Sequence, residues 1–372
     1  MKHYCKRAFD HVQMLDDGRI MPCCPPWIDH YSFGNINDGS YEDIWNSEKA
    51  QDFRKSILDG SYKYCNENSC PYLSAKVDPV LPLSELAPRI KEDVIQKKSI
   101  LDHGPLEVQF CYDRSCNLSC PSCRRGIIMI SGKRKKETLD IQEKFKSGFF
   151  KDAETFVITG SGDAFASPVF RKLLQTLQRK DAPSLKDIVI LTNGLLLPKY
   201  WDTLSDFALE KITTISVSID ATTEDLYDIN RRGGDWDQLI YSLSYIRDLN
   251  VQSFCTSFVV QDNNFHQMKD FVLMSEGYNV RHVQFQIIEP DFIRDLGYED
   301  YVDEWFSKAV QEKRHPRHQD LIKTIQDKFF DPYISNFVNG NKKEFTLDMG
   351  PLYKLRNGED ISQYDKTTQE KI

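Results

Sequence analysis

The chain has 372 residues, 40% hydrophobic and 28% charged, enough to bury the core of one large domain or two smaller ones. Its 48 basic and 56 acidic side chains leave a formal charge of −8, which argues against a general nucleic-acid binder or a binder of anionic membranes. No apolar run is long enough to span a membrane, and the opening MKHYCKRAFD lacks the apolar stretch of a signal peptide, so the expectation is a soluble, cytoplasmic enzyme.

In chain order, residues 1–75 read as a small cysteine-held unit. Two short extended stretches, His11–Met14 and Arg19–Met21, flank the turn Asp16-Asp17-Gly18, a hairpin signal. Ser40 then caps one helix carrying Ile44, Trp45, Phe53 and Ile57 and ending near Gly60. So little apolar material makes a weak core, and a metal cluster would supply the missing stability. Residues 76–105 form a connector with Pro79, Pro82, Pro88 and a charged helical piece.

From Leu106 the pattern changes to alternating strands and amphipathic helices. The strands are Leu106–Cys111, Thr155–Thr159, Asp187–Leu191, Thr213–Asp220, Ser253–Val260 and His282–Ile287. One helix starts at Ser167-Pro168 and carries Phe170, Leu173, Leu174 and Leu177; another carries Trp236, Leu239, Ile240, Leu243 and Ile246. Six β-α repeats imply a parallel sheet with right-handed crossovers. One face of each strand is polar, whereas a closed eight-stranded barrel fills its interior with branched apolar side chains. The expected fold is α/β: an open (β/α)6 partial TIM barrel over residues 106–290, preceded by the small Cys-rich module. Residues 291–372 hold helical segments near Tyr301–Glu312 and Gln319–Phe329, then a loosely ordered polar tail from Lys354.

Ten cysteines fall in two groups, one before residue 71 and one from 111 to 123, with Cys255 apart. In a reducing compartment such clusters read as metal ligands before disulfides. The decisive stretch is Cys116-Asn-Leu-Ser-Cys120-Pro-Ser-Cys123, directly after the first barrel strand. Spacings of three and two let one loop wrap three thiolates around an iron–sulfur cluster and leave one iron open for catalysis. A zinc site completed by a distant residue is the alternative.

This loop resembles the radical S-adenosylmethionine (radical SAM) superfamily, over roughly Leu106 to Glu289. Further stations match in order: Thr159-Gly160-Ser161-Gly162-Asp163 after the second strand, Thr192-Asn193-Gly194 after the third, Ser216-Val-Ser218-Ile-Asp220 on the fourth, then Arg231-Arg232-Gly233-Gly234. The resemblance implies that Gly160, Ser161, Gly162, Asp163, Asn193, Ser216, Ser218, Asp220 and Arg231 bind SAM, and that Cys116, Cys120 and Cys123 hold a 4Fe-4S cluster. It also implies reductive cleavage of SAM to a 5′-deoxyadenosyl radical that abstracts a hydrogen atom. Ser122 stands where the family has an aromatic residue, which leaves adenine packing to Tyr112 or Phe165.

Cys5-x17-Cys23-Cys24, Gly34-Asn35, Trp45 and Cys65-x4-Cys70 resemble the SPASM module, or its shortened twitch form, placed before the barrel rather than after it. The resemblance implies one auxiliary 4Fe-4S cluster on Cys5, Cys23, Cys65 and Cys70, with Cys24 the alternative to Cys23, and makes two clusters in all. A zinc knuckle is the other reading of these thiols. Cys255, and after it Cys111, is a candidate thiol hydrogen donor; a small buried core residue is the plain alternative. The run Lys133-Arg134-Lys135-Lys136 reads as a solvated loop.

The expected function is hydrogen abstraction from a peptide or small natural-product substrate, fed by a one-electron reductant of flavodoxin or ferredoxin type, with no nucleic-acid or membrane partner. The enzyme alternatives are an epimerase or a dehydrogenase acting on a sugar-like molecule. The non-enzyme alternatives are a zinc-stabilised binding protein and an electron carrier.

Overall fold

The computed structural model describes residues 2–67, 70, 72–73, 76–288, 302–338 and 344–362. Twelve strands lie among them: β1 His3–Cys5, β2 His11–Leu15, β3 Arg19–Met21, β4 Gly34–Asn35, β5 Val80–Pro82, β6 Glu107–Cys111, β7 Thr155–Ile158, β8 Asp187–Thr192, β9 Ile212–Ser218, β10 Ser253–Val260, β11 His282–Ile287 and β12 Thr346–Asp348. β6 to β11 are the six expected barrel strands, and each matches its sequence-read bounds to within a residue or two. No described helix is long and apolar enough to cross a membrane.

The chain divides into two compact units. The first is Met1–Cys116, Met129–Leu191 and Tyr200–Thr213; the second is Asn117–Ile128, Thr192–Lys199 and Thr214–Ile372. In the first, strand order runs β4-β3-β2-β6-β7-β8, with β1 and β5 paired separately. β2 and β3 form the expected antiparallel hairpin, with Gln13 opposite Met21. β2 also runs parallel to β6, Val12 opposite Val108, so the N-terminal hairpin continues the sheet of the barrel strands. β6, β7 and β8 are parallel, with Val108 opposite Phe156 and Phe156 opposite Ile188. In the second unit, β9, β10, β11 and β12 are parallel. The fold is thus α/β with a mostly parallel sheet. On β11, His282, Gln284 and Gln286 oppose buried Val283, Phe285 and Ile287 as expected. On β7 and β8 the less buried face also carries Val157, Val189 and Leu191, so a polar face is not present on every strand.

The apolar faces build the core. Phe110 on β6 meets Phe156 at 5.0 Å and Phe150 at 5.5 Å between ring centroids. The helix Pro168–Thr176 adds Phe170, and Ser167 caps it by accepting from Val169 N and Phe170 N. In the second unit, Asp235 caps the helix Trp236–Arg247 by accepting from Gln238 N.

Four expectations change. The single helix from Ser40 is two helices, Tyr41–Trp45 and Glu48–Asp59. Ser40 caps the first in a capping box with Asp43, and Ser47 starts the second by accepting from Ala50 N while donating to Phe33 O. Lys133-Arg134-Lys135-Lys136 lie in the helix Gly132–Phe149, where Arg134 pairs with Asp16 at 3.2 Å; they are not a loop. Lys354 lies in the helix Leu352–Arg356, tied down where Arg356 pairs with Asp331, and is not loose tail. β12 was not expected at all; it is short, and pairs with β11 across a long sequence separation. The helix read over Tyr301–Glu312 is found as Val302–Lys308. Residues 289–301, and those beyond 362, which complete the expected barrel end and tail, lie outside the described residues.

Arg54 fastens the N-terminal module. It is fully buried and donates to Ala8 O (3.0 Å), Trp45 O (2.7 Å), Ser99 O (2.9 Å) and Asn46 Oδ1 (3.1 Å), with its guanidinium 4.4 Å from the Trp45 ring. Arg54→Leu removes all four of these hydrogen bonds from the inside of the module and is expected to destabilise the chain by about 3 kcal/mol or more, read by chemical denaturation. His11 on β2 is also buried. Its Nδ1–H donates to Pro22 O at 3.0 Å, which fixes the neutral tautomer, and burial, with Arg7 nearby, pushes its pKa down to about 4. The unfolded chain therefore takes up a proton that the folded chain refuses. The stability held above about pH 6.5 should fall as pH drops toward 4, and His11→Gln should flatten that part of the profile, seen as the difference between the two proteins' urea midpoints.

Candidate metal centres

None of the ten cysteines is in a disulfide. Cys5 ends β1, held opposite Val80 of β5. Cys23 follows β3, and Cys24 begins the single turn Pro25–Ile28. Two hydrogen-bonded turns place the others: Cys65 N donates to Tyr62 O at 2.8 Å and Cys70 N to Asn66 O at 2.9 Å. Burial pushes Cys5 well up and Cys65 to about 12. Charge on Cys23 raises Cys5, Cys65 and Cys70 further, so the four thiols share one electrostatic environment. Four clustered thiols, disfavoured as isolated thiolates, are a donor set that suits a soft metal cluster. Arg7 Nη1 donates to Cys23 Sγ at 3.4 Å.

The second group is the loop after β6. Its start is pinned in the first unit: Asp113 accepts from Ser115 N at 2.9 Å and from Ser167 Oγ at 2.5 Å, and Ser115 O accepts from Asp163 N at 2.9 Å. Cys116 and Cys120 are buried and Cys123 is half-buried. In the second unit, Cys123 N and Arg124 N both donate to Cys120 O at 2.9 Å, which makes a tight turn. Asn193 Nδ2 donates to Asn117 Oδ1 at 2.9 Å, and Ser119 N to Arg232 O at 2.9 Å. Two arginines reach thiols: Arg124 Nε and Nη2 lie 3.4 and 3.3 Å from Cys123 Sγ, and Arg231 Nη1 lies 3.8 Å from Cys120 Sγ.

Arg231 also pairs with Asp220 at 2.8 Å. Asp220 has a left-handed backbone, φ 62°, and its Oδ1 accepts from Val259 N at 2.7 Å. Burial raises the pKa of both Cys120 and Asp220, and Arg231 offsets part of each shift. Arg231 Nε and Tyr227 Oη, both buried and within electrostatic reach of Cys120, have no hydrogen-bond partner among the described residues. Free buried donors beside a thiol are what an anionic cluster or ligand would satisfy, so these residues fit the implied group.

The Thr159–Asp163 stretch is a turn packed on β6, with Thr159 Oγ1 and Gly160 N both donating to Phe110 O. A Cβ on Gly160 would meet Cys111 Sγ at 2.4 Å, and one on Gly162 would meet Ser115 O at 2.6 Å and Asp113 O at 2.7 Å. These glycines make room for the protein's own atoms, because the turn closes on β6 and on the start of the cysteine loop. Asp163 Oδ1 accepts from Phe165 N and Ala166 N, and Ser161 Oγ donates to Cys111 O. Tyr112 and Phe165 are fully buried, Tyr112 among Phe110, Phe145 and Phe170. On β9, Ser218 accepts from Ser257 Oγ at 2.9 Å and Ser216 stands opposite Cys255. Cys255 is half-buried, 3.3 Å from Ser253 Oγ; Cys111 is 2% exposed and pushed up to about 12 by burial.

Sequence reading missed Arg7, Arg124 and Tyr227. Only Arg124, adjacent to the third loop cysteine, carried any signal. One other group of ligand-type side chains, Asp93, Asp102 and His103, is neutralised from within: Lys98 lies 3.3 Å from Asp93 and 3.5 Å from Asp102, and His103 lies 2.9 Å from Asp93.

Comparison with known proteins adds three findings. Residues 113–274 match the family model described as the radical SAM superfamily, and residues 5–71 match the one described as SPASM, an iron–sulfur cluster-binding domain. Curated relatives include the GTP 3′,8-cyclases of Alkaliphilus oremlandii (strain OhILAs), 27% identical over 178 residues, and Alkaliphilus metalliredigens (strain QYMF), 27% over 180; each alignment covers 46% of this chain and 54% of the relative. The chain thus spans about half the length of the curated relatives it matches. Solved structures with some likeness include native anSMEcpe with bound AdoMet and Cp18Cys peptide (TM-score 0.44, 20% identity, 63% of this chain and 60% of that one). Another is Streptococcus suis SuiB bound to precursor peptide SuiA (TM-score 0.43, 14% identity, 90% and 73%).

Gly162→Ala tests the packing of the second-strand turn. Its methyl has only backbone to displace, so a loss of about 1–3 kcal/mol is expected in the metal-free chain, measured by thermal melting against wild type.

Proposed function

The chain belongs to the radical SAM superfamily and carries a SPASM module at its N-terminal end, with SAM and 4Fe-4S clusters as its cofactors, and from that premise we propose that it abstracts a hydrogen atom from a peptide or small natural-product substrate. Bound to these residues, the cluster and SAM supply one-electron cleavage of the sulfonium and a carbon radical that takes the hydrogen. Cys116, Cys120 and Cys123 hold the SAM-binding cluster, and Cys5, Cys23, Cys65 and Cys70 hold the auxiliary one. Residues 1–75 act as the auxiliary module, 76–105 as connector, 106–290 as barrel and 291–372 as the C-terminal helices and tail. A flavodoxin- or ferredoxin-type carrier supplies the electron.

The observation that carries this reading is the cysteine loop: three cysteines outside any disulfide, at spacings of three and two, directly after β6, two of them facing arginine guanidinium groups. The protein's own contribution is electrostatic and positional. Arg231 and Asp220 brace Cys120, Arg124 holds Cys123, and Asn193 fixes the loop through Asn117. Gly160, Ser161, Gly162 and Asp163 shape the turn beside the loop, and Ser216 and Ser218 offer hydroxyls on β9. Cys255, half-buried on β10 opposite Ser216, is the candidate hydrogen donor, a role that an epimerase-type outcome would need and a net oxidation would not. Cys111 is enclosed and serves packing. Cyclisation of GTP is a second reading, supported only by the relatives' names.

The test is anaerobic reconstitution, iron and sulfide analysis, and dithionite-driven formation of 5′-deoxyadenosine, with GTP and candidate peptides as added substrates. About eight irons per chain are expected, falling to about four when Cys116, Cys120 and Cys123 are all changed to alanine, with SAM cleavage lost. Zinc in place of iron, and no cleavage by the wild-type chain, would sink the proposal and leave a zinc-stabilised binding protein. Cys255→Ala should abolish product while sparing SAM cleavage; unchanged turnover would point to an oxidation instead.

A further inference from the structure

Arg7 occupies an unusual place. Its guanidinium donates through Nη1 to Cys23 Sγ at 3.4 Å and lies 5.7 Å from the Trp27 ring centroid and 5.3 Å from that of Tyr72. The two rings meet edge to face, centroids 5.3 Å apart at 82°, so they flank a planar cation whose donors sit in a fixed fork. Its charge also acts on Cys5 and Cys70, lowering the pKa of each against burial. Glu107 of β6 faces it as a further anion. Three of the four auxiliary thiols therefore feel this one cation, in a chain whose net charge is −8.

A cluster thiolate that accepts an N–H bond from a cation has part of its charge offset. The reduced cluster, which carries one more electron, gains more from that than the oxidised one. We propose that Arg7 is a positioning residue that raises the reduction potential of the auxiliary cluster through its hydrogen bond and charge on Cys23. The inference rests on the reading that Cys5, Cys23, Cys65 and Cys70 hold that cluster. It makes Cys23, rather than Cys24, the ligand through which the protein tunes the centre, with Trp27 and Tyr72 keeping the guanidinium aimed.

The experiment uses the full chain with Cys116→Ala, Cys120→Ala and Cys123→Ala combined, so that any remaining cluster is the auxiliary one. Iron content is measured, and the midpoint potential is read by electron paramagnetic resonance during a redox titration. Arg7→Gln removes the charge and should shift the oxidised-to-reduced ratio about tenfold toward the oxidised form, a midpoint lower by about 59 mV for a one-electron couple. Arg7→Lys keeps the charge but loses the fork, and should shift the ratio about threefold in the same direction. A wild-type midpoint in Arg7→Gln at full iron content overturns the inference. If Arg7→Gln does not retain iron, Arg7→Lys decides alone, and a wild-type midpoint there overturns it equally. No iron in the triple-alanine background with Arg7 intact would instead remove the ligand assignment beneath it.

Discussion

The parallel pairing of β2 with β6 is the constraint on which the first unit turns. A hairpin of five and three residues cannot bury enough apolar surface to stand alone. Laid against β6, with Val12 opposite Val108 and Met14 opposite Phe110, it extends a sheet whose core is already full of aromatic rings. The same pairing sets Cys23, just past the hairpin's second strand, and lets β1 present Cys5. Arg54 then fastens the module, its hydrogen bonds adding a satisfied polar network beside the buried Phe9, Phe33, Trp45, Phe53 and Ile57. A metal cluster on the four thiols would add to a scaffold already tied to the sheet, rather than supply the only reason for it to fold.

A second theme is charge. The chain is acidic overall, yet arginines stand against cysteine sulfurs in both groups: Arg7 at Cys23, Arg124 at Cys123 and Arg231 at Cys120. Buried thiols resist ionisation, and every cluster ligand must be a thiolate. A guanidinium remains protonated when buried, so it offsets that cost at any working pH. Asp220 shows the other half of the arrangement. It pairs with Arg231 and takes the Val259 amide, so the cation is oriented and not merely present.

The order of the strands, their bounds and the polar and apolar faces could be read from period-two alternation, because that pattern is local. So could the loop cysteines, whose spacing is a short-range geometric statement, and the caps at Ser40 and Ser167. The split at Asn46-Ser47 could not. Asn46 continues a helix in any local window, but its side chain accepts from Leu101 N and donates to Leu101 O, fifty-five residues on, and that pulls it out of helical service. The second-strand glycines show the same limit. Their pattern was legible, but whether they admit a ligand or the protein's own backbone depends on what lies opposite.

Strand alternation was thus sufficient for the fold class, and the cysteine spacing with the stations after it carried the resemblance to the family, since each is encoded over a few positions. The fold itself assigned Arg7, Arg124 and Arg231 to particular sulfurs, enclosed Cys111 while leaving Cys255 half-buried, and added β12 to the sheet. Those facts rest on contacts between segments far apart in the chain, and no local period or motif carries the distance between an arginine and a thiol.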